Sequence, residues 1–290
     1  MLITPRPGVS REHLLSDLRE ITNEIQSLYG GDSAHKRLLA YLEWVSRAVE
    51  KLGNQISSAD LERLVLTKRY EQLLMGVRAM DSPQMEVQRV VNGLVSLEVR
   101  QRQDAFKTAT DALGEQIKQW SQPGVFVVPD TTFYVRHDKL EEADFAPLVK
   151  VWEAPIHVLV PIVIVDELDN LKQSKDKHLR WRAGYTLAVF DRVFASTTRA
   201  QLRAEDFSAL GAGGIPRGRV TIELLFDPPG HVRLPINDDE IVDRAVAVQN
   251  VAGRAVTLLT YDTGQSMRAR TAGLQEIKLT PPSEPEPTTS

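Results

Sequence analysis

"HVLVPIVIVDELDNLK", residues 157–172, joins an apolar run directly to a group of carboxylates. Its first part is rich in Val, as buried strands are, and Pro161 suits the first position of a helix better than the middle of a strand. The stretch therefore predicts a strand, "IHVLV", followed at once by a helix, "PIVIVDELDNLK". A buried strand that leads into a helix is the unit from which parallel α/β sheets are built.

The acids of this predicted helix point in different directions. At about 100° per residue, one apolar stripe should pack on the sheet, formed by Ile164, Leu168 and Leu171. Asp166 and Asp169 project from the far side of the helix. Glu167 lies at the edge of the stripe, so it is the acid that we expect to reach toward the sheet.

Other β-rich runs follow the same plan: "VFVV" at 125–128, "VTIELLF" at 220–226 and "AVTLLT" at 255–260, with helical stretches between them. Strands that alternate with helices predict a parallel sheet. Before residue 121, apolar residues recur at helical spacing, and turn or cap signals at Gly30, Gly31, Ser58 and Pro83 divide the region. We expect three helices of moderate length there and a longer fourth that reaches Trp120.

The predicted organisation is an all-α helical domain at residues 1–120, an α/β domain with a parallel sheet at 121–280, and a disordered tail at 281–290. The tail, "PPSEPEPTTS", is Pro-rich and polar and has nothing to bury.

Composition excludes several classes of function. The 290 residues include no Cys, which removes disulfide scaffolds, thiolate zinc sites and cysteine nucleophiles. The 35 Lys and Arg are outnumbered by 39 Asp and Glu, so a nucleic acid would have to be held by local cations or by metal ions. No apolar run has the length of a membrane helix, and a cytoplasmic protein is the expectation.

Acids also follow the other predicted strands. Asp130 comes after "VFVV", Asp262 comes after "AVTLLT", and Asp238 and Asp239 open a predicted helix. Ligand sites of parallel sheets form outside the carboxyl ends of the strands, so these acids and Glu167 should converge. Crowded carboxylates repel one another unless divalent cations neutralise them, and oxygen ligands favour Mg²⁺ or Mn²⁺. Such ions can activate a water for phosphodiester hydrolysis.

Each acid, taken alone, also has a structural interpretation. Asp238 is well placed as a helix N-cap, Asp130 and Asp262 suit turns after strands, and Glu167 could be a surface acid. The joint pattern favours the metal site.

The order "VPDTTF", "VPIVIVDELDNLK", "NDDEIV" and "LLTYDTGQSMRA" resembles the PIN-domain nucleases over roughly residues 124–279. The resemblance implies an α/β/α sandwich around a parallel sheet and a PIN-type endoribonuclease that uses Mg²⁺ or Mn²⁺. Carried over, the metal ligands and catalytic residues are Asp130, Glu167, Asp238 and Asp262, with Asp239 as the alternative third ligand. Thr260 and Thr263 are candidates to support these ligands by hydrogen bonds without contacting the metal themselves.

The sequence also departs from the compact toxins of this family. It has a helical N-terminal half and a longer insert, "LRAEDFSALGAGGIPRGRV", so membership of a toxin–antitoxin pair stays open. The rival hypothesis is a catalytically inactive PIN-like protein that binds RNA or acts as a scaffold. A protein partner of the helical domain and a homo-oligomer also stay open.

A basic segment, "LKQSKDKHLRWR", follows the helix that carries Glu167. Its cations are predicted to track the phosphates of single-stranded RNA, with Trp181 available for base stacking. The alternative is a solvated helix start with Trp181 in the core. The predicted RNA-binding residues are Lys172, Lys175, Lys177, Arg180 and Arg182.

Overall fold

The structure is a computed structural model that describes residues 3–29, 33–80, 84–208 and 213–280. The chain divides between Ser121 and Gln122 into two compact units. The predicted tail at 281–290 lies outside the described residues, as do Gly30, Gly31 and Pro83.

The first unit is helical, as predicted. It contains a 3₁₀ turn at Ser27–Tyr29 and the helices α1 Arg11–Gln26, α2 Ala34–Leu52, α3 Ser58–Leu64, α4 Lys68–Met80 and α5 Met85–Trp120. The long helix that reaches Trp120 is confirmed. The prediction of three shorter helices was wrong, because the described residues contain four. The N-cap of α3 is Ser57 rather than Ser58, and its hydroxyl accepts a hydrogen bond from the Asp60 N–H.

The second unit is built on a six-stranded sheet. The strands are β1 Val125–Pro129, β2 Ile156–Pro161, β3 Arg199–Arg203, β4 Val220–Leu225, β5 Val256–Thr260 and β6 Gln275–Lys278. Their order is β3-β4-β2-β1-β5-β6. All neighbouring pairs are parallel except β3 with β4. The helices are α6 Thr131–Arg136, α7 Phe145–Val149, α8 Ile162–Leu171, α9 Lys177–Val193, α10 Asn237–Ala252 and α11 Thr263–Thr271. The predicted fold class is therefore confirmed.

The junction of β2 and α8 lies one residue later than expected. Pro161 is the last residue of β2, because its ψ of 138° is still extended, and α8 begins at Ile162. The orientation of α8 agrees with its pattern: Ile164 and Leu168 are buried, the acids of the far side are exposed, and Glu167 is half-buried. Because β1 lies between β2 and β5 and runs parallel to both, the carboxyl ends of these three strands share one edge of the sheet.

None of the helices in the described ranges combines the length and the apolar composition that a membrane span requires.

Candidate metal centre

Asp130 is buried at the carboxyl end of β1, where it caps α6, with 3% of its surface exposed. Its Oδ1 accepts hydrogen bonds from the Phe133 N–H at 2.9 Å and from Thr132 Oγ1 at 2.7 Å, and its Oδ2 accepts one from Thr260 Oγ1. Every one of these donors is neutral. Burial raises the pKa of Asp130 to about 6, although the hydrogen bonds act in the opposite direction.

Glu167 reaches the same edge of the sheet from α8. Its Oε2 accepts a hydrogen bond from the hydroxyl of Thr131, the residue that follows Asp130. The contact joins the first residue of α6 to the middle of α8, so the carboxylate of Glu167 lies beside the residue that follows Asp130. The prediction that Glu167 points toward the sheet agrees with this position.

Asp238 lies in the first turn of α10, whose N-cap is Ile236, so the interpretation of Asp238 as a cap was wrong. Burial raises the pKa of Asp238, and the negative charges of Glu167, Asp262 and Asp239 raise it further. Asp238 also raises the pKa of Asp130, so the five predicted acids, Asp130 among them, lie in one neighbourhood.

Asp262 has the structural role that the sequence offered for it, at the turn after β5. It is the N-cap of α11, and its Oδ1 accepts a hydrogen bond from the Gln265 N–H at 2.9 Å. Its own N–H donates to Thr260 Oγ1 at 2.8 Å, so one threonine contacts both Asp130 and Asp262. The carboxylate itself is exposed to solvent.

An open cleft of about 390 Å³ brings three of these carboxylates together. It is lined by Asp130, Glu167 and Asp238 with Thr131, Thr132, Asn170, Leu171, Asn237 and Ile241. Asp262 lies outside this lining, and Asp239 is engaged by Arg268, whose Nε donates to Asp239 Oδ1 at 2.7 Å. The structure therefore places Asp130, Glu167 and Asp238 in the cleft and the other two acids beside it.

The donor set of the cleft fits a hard divalent cation, because it consists of carboxylate oxygens supported by neutral hydroxyls. Among the described residues, no three carboxylates of this cleft bring their oxygens within 4.8 Å of one another. Mg²⁺ does not require that, since it keeps several waters and is commonly held by one or two carboxylates directly.

A tighter group of titratable residues, Asp227, His231 and Glu240, lies outside this cleft. Its charges are already compensated: Glu240 contacts His231 Nε2 at 2.7 Å and Arg244 Nε at 3.3 Å, and Asp227 pairs with Arg233. We therefore assign it a structural role. The contact between His231 and Glu240 connects the segment before α10 to the helix and so positions the first turn of α10, which carries Asp238.

The two threonines proposed as supports differ. Thr260 is buried and donates to Asp130, whereas Thr263 is exposed and accepts a hydrogen bond from Lys278 Nζ at 2.6 Å. Sequence reasoning missed Thr131 and Thr132, although their position directly after a strand-end Asp was a usable signal. It also missed Arg268, for which the sequence offered no signal, because its approach to α10 depends on how α10 and α11 pack.

The basic segment contains one residue that does not fit its predicted role. Arg182 is buried, with 6% exposure, and its Nη2 donates to the backbone carbonyls of Tyr134, His137 and Asp138. It holds the end of α6 and is therefore not available to RNA phosphates.

The other cations of the segment lie at the surface. Lys175 and Lys177 are exposed, Lys172 pairs with Asp169 at 3.0 Å, and Arg180 Nη1 donates to a backbone carbonyl at 2.9 Å. Trp181 is 54% exposed, so its placement in the core was wrong. Its ring is stacked on that of Tyr185, with the centroids 5.6 Å apart.

A family model described as PIN domain matches residues 127–280, more than half of the chain and all of the carboxylates described above. The predicted family resemblance is thus confirmed. No curated protein matches the sequence.

Proposed function

The chain belongs to the PIN-domain family, whose members are generally nucleases, and from this premise we propose that its α/β unit is a metal-dependent endoribonuclease that acts on single-stranded RNA.

The observation that carries this proposal is the cleft shared by Asp130, Glu167 and Asp238. Asp130 comes from the end of β1, Glu167 from α8 and Asp238 from α10. They lie at the edge of the sheet where ligand sites of parallel α/β folds form. With Asp262 at the margin, they would hold Mg²⁺ or Mn²⁺. Asp239 is less suited to be the third ligand, because Arg268 already occupies its Oδ1.

The residues around the cleft would keep the ligands oriented. Thr132 and Thr260 hold the two oxygens of Asp130, and Thr131 holds Glu167. A divalent ion held by these residues would supply positive charge for the phosphate and would lower the pKa of a bound water. Hydrolysis adds that water across a P–O bond, so the reaction requires no side-chain nucleophile and no covalent intermediate.

Single-stranded RNA is favoured by the surface that follows α8. Leu171 lines the cleft, and the exposed Lys175 and Lys177 follow it within six residues. One helical turn farther, Trp181 presents an exposed ring supported by Tyr185. Unpaired bases can stack on such a ring, whereas the bases of a duplex cannot reach it.

The first experiment incubates the full chain with labelled single-stranded RNA, the same RNA annealed to its complement, and single-stranded DNA. We expect cleavage of the single-stranded RNA in Mn²⁺ or Mg²⁺ and none in chelator or with Asp130→Asn. Equal cleavage by the wild type and Asp130→Asn would overturn the role of Asp130 in the reaction. Binding without cleavage in either metal would favour the non-catalytic RNA-binding alternative.

A second experiment tests the basic segment. The triple change of Lys175, Lys177 and Arg180 to Gln should weaken RNA binding and flatten the plot of log K against log salt by roughly 0.7 for each lost phosphate contact. Mn²⁺ affinity should not change. The matched control removes three exposed cations of the helical unit, Arg100, Lys107 and Lys118. An equal loss of binding in the control would show that net charge, not this segment, holds the RNA.

A further inference from the structure

Arg268 of α11 lies among the acids at one side of the cleft. Its Nε donates to Asp239 Oδ1 at 2.7 Å, and its Nη1 lies 3.6 Å from Asp238 Oδ2. A Cβ placed on Gly264 would be 3.1 Å from both Arg268 Nη1 and Asp262 Oδ1, so the guanidinium lies over the first turn of its own helix, beside Asp262. The side chain is 37% exposed.

This arrangement divides the carboxylates into two groups. Asp130 and Glu167 accept the hydrogen bonds described above from neutral donors. Asp238 and Asp239 face a guanidinium, which stays protonated at any pH that the protein meets. Its charge lowers the pKa of Asp238 against the effect of burial.

We propose that Arg268 is a built-in cation beside the cleft, which takes the place of a second divalent ion at Asp238 and Asp239 and leaves one Mg²⁺ or Mn²⁺ to bind. This inference rests on the proposed function, because it assumes that the cleft binds a metal. The contact to Asp239 is short and the contact to Asp238 is long, so Arg268 holds Asp239 more firmly and leaves Asp238 freer to bind the single ion.

The helix offers a matched control. Arg270 lies two residues farther on, is 71% exposed, and pairs with Glu276 rather than with the acids of the cleft. Arg270→Gln removes the same charge from the same helix as Arg268→Gln. A difference between the two variants therefore reports the position of the charge and not the net charge of the protein.

The experiment titrates Mn²⁺ into the metal-free full chain by calorimetry, without RNA. We expect one ion per chain in the wild type and in Arg270→Gln. In Arg268→Gln we expect a second ion, or a first ion bound about tenfold more tightly, because a like charge near the cation is gone. Arg268→Lys keeps the charge and should bind one ion with near wild-type affinity. It also serves as the test if Arg268→Gln does not fold.

The possible results separate this inference from the proposed function. Two ions in the wild type, or equal titrations of Arg268→Gln and Arg270→Gln, would overturn the role of Arg268 and leave the metal site standing. A second ion in Arg268→Lys would also overturn it. A wild type that binds no Mn²⁺ would overturn the metal dependence and the inference together.

Discussion

Glu98 of the helical unit and Asp130 of the α/β unit are both buried carboxylates, and the two are partnered in opposite ways. In the helical unit, Glu98 of α5 is 1% exposed. Its Oε2 accepts from Arg69 Nη1 at 2.9 Å, and its Oε1 lies 3.0 Å from Arg102 Nε. Thr67 and Tyr41 add hydroxyl donors to the same Oε1 at 2.8 and 3.4 Å. Two guanidinium groups thus compensate its charge.

Asp130 of the α/β unit is almost as deeply buried, but its donors are two threonine hydroxyls and a backbone N–H. A buried charge without a counter-charge is costly, and the raised pKa of Asp130 expresses that cost. Glu98 links α2, α4 and α5 through these contacts and so stabilises the helical unit. The contrast supports the proposal that Asp130 binds a cation that the chain itself does not supply.

The largest effect should come from removing the charge of Glu98. Glu98→Gln leaves Arg69 and Arg102 without a counter-charge, and we expect the helical unit to lose about 3 kcal/mol of unfolding free energy. Chemical denaturation, monitored by circular dichroism, measures this change in unfolding free energy. Glu115→Gln, at an exposed position of the same helix, should stay within about 0.5 kcal/mol of the wild type. Similar losses in the two variants would break the contrast, since Glu98 would then behave as a surface acid.

Asp130→Asn should behave in the opposite way. Asn can still accept the Phe133 N–H as an N-cap, so without metal the variant should be as stable as the wild type or about 1 kcal/mol more stable. It should lose the stabilisation by Mn²⁺, which for the wild type is about 2.7 kcal/mol at 100 times the Kd. Melting curves with Mn²⁺ and with chelator measure both. Equal Mn²⁺ shifts in the two proteins would contradict the shared site.

The acid range provides a test without metal. The pKa of Asp130 is about 6 in the folded protein, whereas an ordinary Asp side chain, as in the unfolded chain, has a pKa of 3.8. The folded protein therefore binds this proton more tightly than the unfolded chain does. Stability from this group must therefore rise as the pH falls through 6. Between about pH 7 and about pH 5 the gain should be about 1 kcal/mol relative to Asp130→Asn, measured in chelator. A flat difference curve would mean that the charge of Asp130 is compensated after all.

The sequence predicts the centre of the fold better than its edges. β1, β2, β4 and β5 are apolar runs, because helices or neighbouring strands cover them. β3 and β6, "RAQLR" and "QEIK", were not predicted, since they are polar edge strands with half-exposed side chains. The break between α3 and α4 was missed for a related reason: "VLT" at 65–67 contains neither Gly nor Pro.

The site shows the same limit. The parallel topology brings the end of β1, α8 and the start of α10 to one edge of the sheet, so the positions of Asp130, Glu167 and Asp238 were predictable. The sequence did not predict which Arg or Lys side chains point into the protein and which point to solvent. Arg182 is one of several cations in a row, and it is buried because α9 packs against the end of α6. Arg268 reaches Asp239 because α10 and α11 lie side by side, which no local pattern records.

The smallest predicted effect concerns the neutral donors that distinguish Asp130 from Glu98. Thr260→Val keeps the shape of a fully buried side chain but removes the hydroxyl that donates to Asp130 and accepts the Asp262 N–H. We expect Mn²⁺ affinity to fall roughly fivefold, about 1 kcal/mol, because hydroxyls that orient ligands contribute to metal affinity.

Thr263→Val is the matched control for this change. It removes a hydroxyl three residues farther on, from the first residue of α11, but that hydroxyl is exposed and accepts from Lys278, so Mn²⁺ affinity should not change. Titration of Mn²⁺ into both variants decides between two roles of Thr260. If both variants bind Mn²⁺ as the wild type does, the hydroxyl of Thr260 serves the fold at the end of β5 and does not orient Asp130 for a cation.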